Sequence, residues 1–143
     1  MNRRVVLDTS LLVSAALRPG SNPHRALLKA LATCDVCASL ETLGELERVL
    51  GRKKFDQYLD RGARMEFVAL MRRHSHVFAV DEADVSRLEV VCRDAKDNQF
   101  LALAQVSEAC VLVSSDDDLL ILHPWHEVAI VTQMDFLSRP TER

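Results

Sequence analysis

The stretch "RRVVLDTSLLVSAAL", residues 3–17, changes its period at a single acid. Up to Leu7 it is a short apolar run with β-branched residues, the pattern of a buried strand. From Thr9 onward the apolar residues take helical spacing, with Thr9 and Ser10 in capping position. Asp8 stands at the junction. Residues 111–122, "VLVSSDDDLLIL", have the same layout: a strand over 110–115, then acids, then a short helix over 117–122. Two arginines before an apolar run give the N-terminus a superficial likeness to a signal peptide, but Asp8 interrupts that run and argues against export.

Between these stretches strands and helices alternate. "PHRALLKALATC" (23–34) reads as a helix with Pro23 in a favoured first-turn position, and "DVCAS" (35–39) as a strand. "LETLGELERVLGRKKF" (40–55) carries Leu40, Leu43, Leu46, Val49 and Leu50 on one helical face. "GARMEFVALMRRH" (62–74) is another helix, and "HVFAV" (76–80) a short strand or extended link. Residues 81–94 read either as a loop or as a loop with a helix near 85–91. "AKDNQFLALAQVSE" (95–108) is helical and "EVAIVT" (127–132) a last strand. Such alternation predicts an α/β fold with a central parallel sheet covered on both faces. Ligands in such sheets bind beyond the carboxyl ends of the strands, where Asp8 and Asp116 both fall.

The 143 residues fit one domain spanning 1–143, and no linker divides them. With 48% hydrophobic and 27% charged residues the chain reads as an ordinary soluble protein, and no apolar run approaches the ~20 residues of a membrane span. Cys34 and Cys37 form a lone C-x-x-C without a second ligand pair, so neither a zinc site nor a disulfide framework is predicted. Such thiols suit the cytoplasm. Charge is unevenly spread: Arg48–Arg73 is net +5 and Asp81–Asp118 net −7, within an overall charge of −3. Each segment alone reads as a solvated face; together they suit a metal-dependent enzyme gripping a polyanion. There are four glycines and no glycine-rich phosphate loop. An acidic site without such a loop repels phosphate unless a cation stands between.

"VVLDTSLLVSAAL", "LETLGELERVLGRKKF", "RDAKDNQFLALA" and "VSSDDDLLIL", in this order, resemble the PIN-domain ribonucleases, in particular the branch described as toxins of toxin–antitoxin systems. The resemblance implies a three-layer α/β/α sandwich and Mg²⁺- or Mn²⁺-dependent cleavage of single-stranded RNA. Carried onto this chain, the family's four acids fall on Asp8, Glu45, Asp97 and Asp116, as catalytic residues and metal ligands, with Asp118 as an added ligand. Thr9, Ser10, Ser114 and Asp94 become supporting hydrogen-bond partners. Ser10 and Ser115 stand where near relatives favour Asn and Gly. Asp117 is placed in solvent, and Asp116 also reads as a helix N-cap. Arg48, Arg52, Lys53 and Lys54 are the expected RNA contacts. The resemblance further implies an antitoxin partner and self-association. The rival readings are a non-catalytic RNA- or protein-binding module and a DNA-directed nuclease.

Overall fold

Val5, Val6 and Leu7 are 1%, 0% and 4% exposed, because the strand they form, β1 (Arg3–Leu7), is the middle of a sheet covered on both faces. The structure is a computed structural model that describes residues 3–88 and 95–140. Five parallel strands lie in the order β3-β2-β1-β4-β5, with β2 at Cys34–Ser39, β3 at His76–Phe78, β4 at Val111–Val113 and β5 at Ala129–Val131. The chain winds outward from β1 to β3, then crosses back to place β4 on the other side of β1. This reversal between β1 and β4 is the switch point at which open α/β sheets bind ligands.

The helices are α1 (Thr9–Leu17), α2 (Asn22–Thr33), α3 (Leu40–Leu50), α4 (Arg61–His74), α5 (Glu82–Ser86), α6 (Asn98–Ser107), α7 (Asp117–Leu120) and α8 (Gln133–Ser138). Alternation along the pleat divides the core in two. Val5, Leu7, Val36, Val111 and Val113 pack against α1, α2, α3, α4 and Phe136 of α8. Val6, Cys37, Leu112 and Ile130 pack against α6, Leu119 of α7 and Trp125. The result is the expected sandwich of helix, sheet and helix layers. Cys34 packs with the first cluster and Cys37 with the second, so opposite faces of the sheet separate the C-x-x-C thiols.

Three local features differ from the sequence reading. The helix expected over 40–55 ends at Leu50, where Gly51 caps it and Arg52 turns extended (φ −68°, ψ 135°) before a 3-10 turn at Lys53–Phe55. Residues 133–138 form a helix too short to show periodicity; its N-cap is Thr132, whose hydroxyl accepts from the Asp135 N–H at 3.1 Å. Arg64, a member of the basic 48–73 segment, is 0% exposed and so no part of a basic surface. The end of α3 leaves carbonyls without helical partners. Arg64 donates from Nη1 to Leu50 O at 2.5 Å and Arg52 O at 2.9 Å, and from Nε to Leu59 O at 2.9 Å; its Nη2 pairs with Asp56. No helix among the described residues is long and apolar enough to cross a membrane.

Candidate active site

The Leu7–Val113 register sets the carboxyl ends of β1 and β4 side by side, and the ladder runs one step further through the Asp8 N–H to Val113 O at 3.1 Å. Asp8 and Ser114 therefore leave the sheet as neighbours. Asp8 N-caps α1, its Oδ1 accepting from the Leu11 N–H at 2.9 Å, and its Oδ2 accepts from Ser114 Oγ at 2.6 Å. The same Ser114 Oγ accepts from the Asp116 N–H at 2.9 Å. Asp116 in turn N-caps α7, its Oδ1 accepting from the Asp118 N–H at 2.9 Å. One hydroxyl thus ties the two strand ends together.

Asp8 is 4% exposed. Burial pushes its carboxyl above the usual 3.8; the bonds from Ser114, Leu11 and Ser115 oppose that rise, and the charge of Asp116 adds to it. Asp97 closes a 3-10 turn (Ala95–Asp97) at the head of α6, and its side chain does not cap that helix. One of its carboxylate oxygens is shielded from solvent. Asp97, Asp116 and Asp118 each offer a carboxylate oxygen, all within 4.8 Å of one another. Opposite ligands of an octahedral Mg²⁺ stand about 4.2 Å apart, and this ion keeps several waters, so three hard oxygens at this spacing fit it or Mn²⁺.

Asp8 and Glu45 are not in that trio. Asp8 lies one hydroxyl away, with both oxygens engaged. Glu45 is half-buried on α3 and lines an open groove of about 520 Å³ with Glu41, Arg48, Arg52, Lys96 and Gln99. Arg48 and Arg52 are exposed there and form no ion pair among the described residues; Lys53 and Lys54 are exposed but do not line the groove. The hydroxyls of Thr9 and Ser10 do not reach Asp8. Thr9 Oγ1 is buried without a hydrogen-bond partner, facing a cavity of about 10 Å³, and Ser10 faces solvent. Their expected role falls to Ser114 and the Leu11 N–H. Asp117 is exposed as expected, and Asp94 lies outside the described residues. Ser115 does not adopt the left-handed backbone, so its turn does without glycine.

The PIN-domain family model matches residues 4–118. The chain is a PIN domain. Among solved structures, this PIN domain is similar to VapBC2 from Rickettsia felis bound to a promoter DNA fragment, at 11% identity and a TM-score of 0.64, covering 90% of this chain and 98% of the other. It is similar to the sarcin–ricin loop cleaving toxin VapC20 of Mycobacterium tuberculosis, at 16% identity and a TM-score of 0.58, covering 87% and 98%. It is likewise similar to FitAcB from Neisseria gonorrhoeae, at 18% and 0.58, covering 91% and 98%. At such identities the likeness is one of fold. No curated protein sequence matches the chain.

Sequence reasoning missed Lys96 of the groove. Its only signal was adjacency to Asp97, inside a segment that read as acidic. The Ser114 bridge carries a prediction of its own. Ser114 is 1% exposed, and Ser114→Ala removes a donor from Asp8 and an acceptor from the Asp116 N–H. Urea unfolding should show a loss of about 1–3 kcal/mol, the cost of stranding buried polar groups, while Ser114→Thr keeps most of the stability.

Proposed function

We propose that this PIN domain is a metal-dependent endoribonuclease acting on single-stranded RNA in the cytoplasm, the toxin of a toxin–antitoxin pair. The carrying observation is the trio Asp97, Asp116 and Asp118, with carboxylate oxygens within 4.8 Å, joined through Ser114 to the buried Asp8 at the sheet's switch point. A non-catalytic binding module gains nothing from such clustered repulsion. Asp97, Asp116 and Asp118 would hold Mg²⁺ or Mn²⁺, with Asp8 and Glu45 as flanking acids; the bound ion supplies charge neutralisation at the phosphodiester and a water of lowered pKa.

The remaining work belongs to the chain's own groups. Ser114 fixes the Asp8 carboxylate and the Asp116 backbone in one arrangement, which keeps the acids in place between turnovers. Glu45 lines the groove together with Ala95, Lys96 and Gln99, which flank Asp97 in sequence. Arg48, Arg52 and Lys96 offer cations to the phosphates on either side of the scissile bond, and their attraction does not depend on base identity. The similarity to an assembly bound to its own promoter DNA supports a protein partner that restrains the domain.

The test is incubation of purified protein with unstructured RNA, structured RNA and single-stranded DNA, each with Mg²⁺, Mn²⁺ or EDTA. Cleavage of unstructured RNA that EDTA stops is the expected result; binding without cleavage under every condition defeats the proposal, and cleavage of DNA alone reassigns the substrate. A second expectation concerns the grip. Arg48→Ala with Arg52→Ala should weaken RNA binding across sequences and flatten the log–log salt dependence by roughly 0.7 for each phosphate no longer neutralised. Lys53→Ala with Lys54→Ala should flatten it less, since those two lie outside the groove. Affinities measured against ionic strength in EDTA check both.

A further inference from the structure

Arg64 is the largest fully buried side chain of the described residues, and it carries a charge. Burying a guanidinium is costly unless its donors are met, and here they are met by one target, the connection from α3 to α4. That connection, residues 51–60, carries Arg52, Lys53 and Lys54 on its outer side. Beneath it Arg64 binds the carbonyls of Arg52 and Leu59 and that of Leu50 at the end of α3, and pairs with the exposed carboxylate of Asp56. It also places a cation at the C-terminal end of α3, where the helix dipole favours one.

The decisive hydrogen bond is the one to Arg52. Its carbonyl accepts from Arg64 at 2.9 Å and from the Phe55 N–H at 3.1 Å, while the residue itself lines the groove beside Glu45. The backbone of Arg52 is therefore clamped from inside, and its guanidinium is left outside without an ion pair among the described residues. A long flexible cation loses rotamer and backbone freedom when it meets phosphate, and a clamped backbone reduces that loss. We propose that Arg64 is a positioning residue for nucleic-acid binding: it never meets the polyanion, but it sets where Arg52 stands. This rests on the groove being the path of the RNA.

A double-mutant cycle read by binding tests it. Affinity for a single-stranded oligoribonucleotide, in EDTA so that nothing is cut, is compared for wild type, Arg52→Ala, Arg64→Lys and the double variant. Lysine keeps the charge but cannot reproduce the fork that spans three carbonyls. If Arg64 acts through Arg52, Arg64→Lys weakens binding roughly fivefold and flattens the salt slope, and the effect drops below about twofold once Arg52 is gone. Equal losses in both backgrounds, or none in the first, overturn the proposal and leave the groove standing so long as Arg52→Ala itself weakens binding. An Arg52→Ala variant with wild-type affinity and slope overturns the groove and the proposal together. Should Arg64→Lys fail to fold, Asp56→Ala removes only the exposed partner of the clamp. It enters the same cycle with a loss of roughly threefold, again vanishing without Arg52; an additive loss rejects the proposal.

Discussion

Asp116→Asn is expected to lower RNA cleavage on the order of 10³-fold while unfolding, in EDTA, at the same temperature as wild type or higher. Asparagine is as good an N-cap as aspartate, so the acceptor for the Asp118 N–H at the head of α7 survives. What goes is one of three negative charges held within 4.8 Å, and with it the repulsion among them. The proposed activity would need that same charge: a 10³-fold loss is about 4 kcal/mol of transition-state stabilisation, within reach of a missing metal ligand. Mg²⁺ should raise the wild-type melting temperature and move the variant less, since binding to the folded state alone stabilises it. A variant clearly less stable than wild type in EDTA would show Asp116 to be retained for its cap.

Asp8→Asn should also suppress cleavage, by 10²-fold or more, and it should change how stability follows pH. Burial raises the folded-state pKa of Asp8 above the usual 3.8. Between that value and the folded one, the native chain holds more protons than the unfolded chain, so stability falls as pH rises. Below 3.8 both states are protonated and nothing is lost; above the folded pKa the full cost of a buried charge is present. Asparagine carries no such cost and can still accept from the Leu11 N–H. Relative to wild type, the variant should gain stability as pH climbs from about 3.8 toward neutral, checked by urea unfolding of both proteins in EDTA. A difference that stays flat with pH would refute it.

The period change at Asp8 and its counterpart before Asp116 made strand ends and acids legible, because a switch from strand to helix can be seen in a dozen residues. That both acids lie at one edge of the sheet followed from the parallel fold; their direct adjacency did not. It depends on β4 pairing with β1, a long-range choice that local pattern does not encode. Of the supporting residues expected, Thr9 and Ser10 stand next to Asp8 in sequence, yet it is Ser114, 106 positions away, that bonds it. A run of cations reads as a surface, and most of 48–73 is one. Arg64 is the exception: it falls on the buried face of α4 with Val68 and Met71, and there the open carbonyls beyond Leu50 demand a donor.

The hydrogen bond from Ser114 to Asp8 also sets a schedule. It closes a loop of 106 positions, and Asp97 and Asp116 emerge from the ribosome long after Asp8. At roughly 5–20 residues per second, translation keeps the first acid apart from the others for roughly 5–20 s. During that interval no fragment of the nascent chain holds the trio. The cleavage activity proposed for this domain would therefore arrive only after β4 has been made and paired with β1.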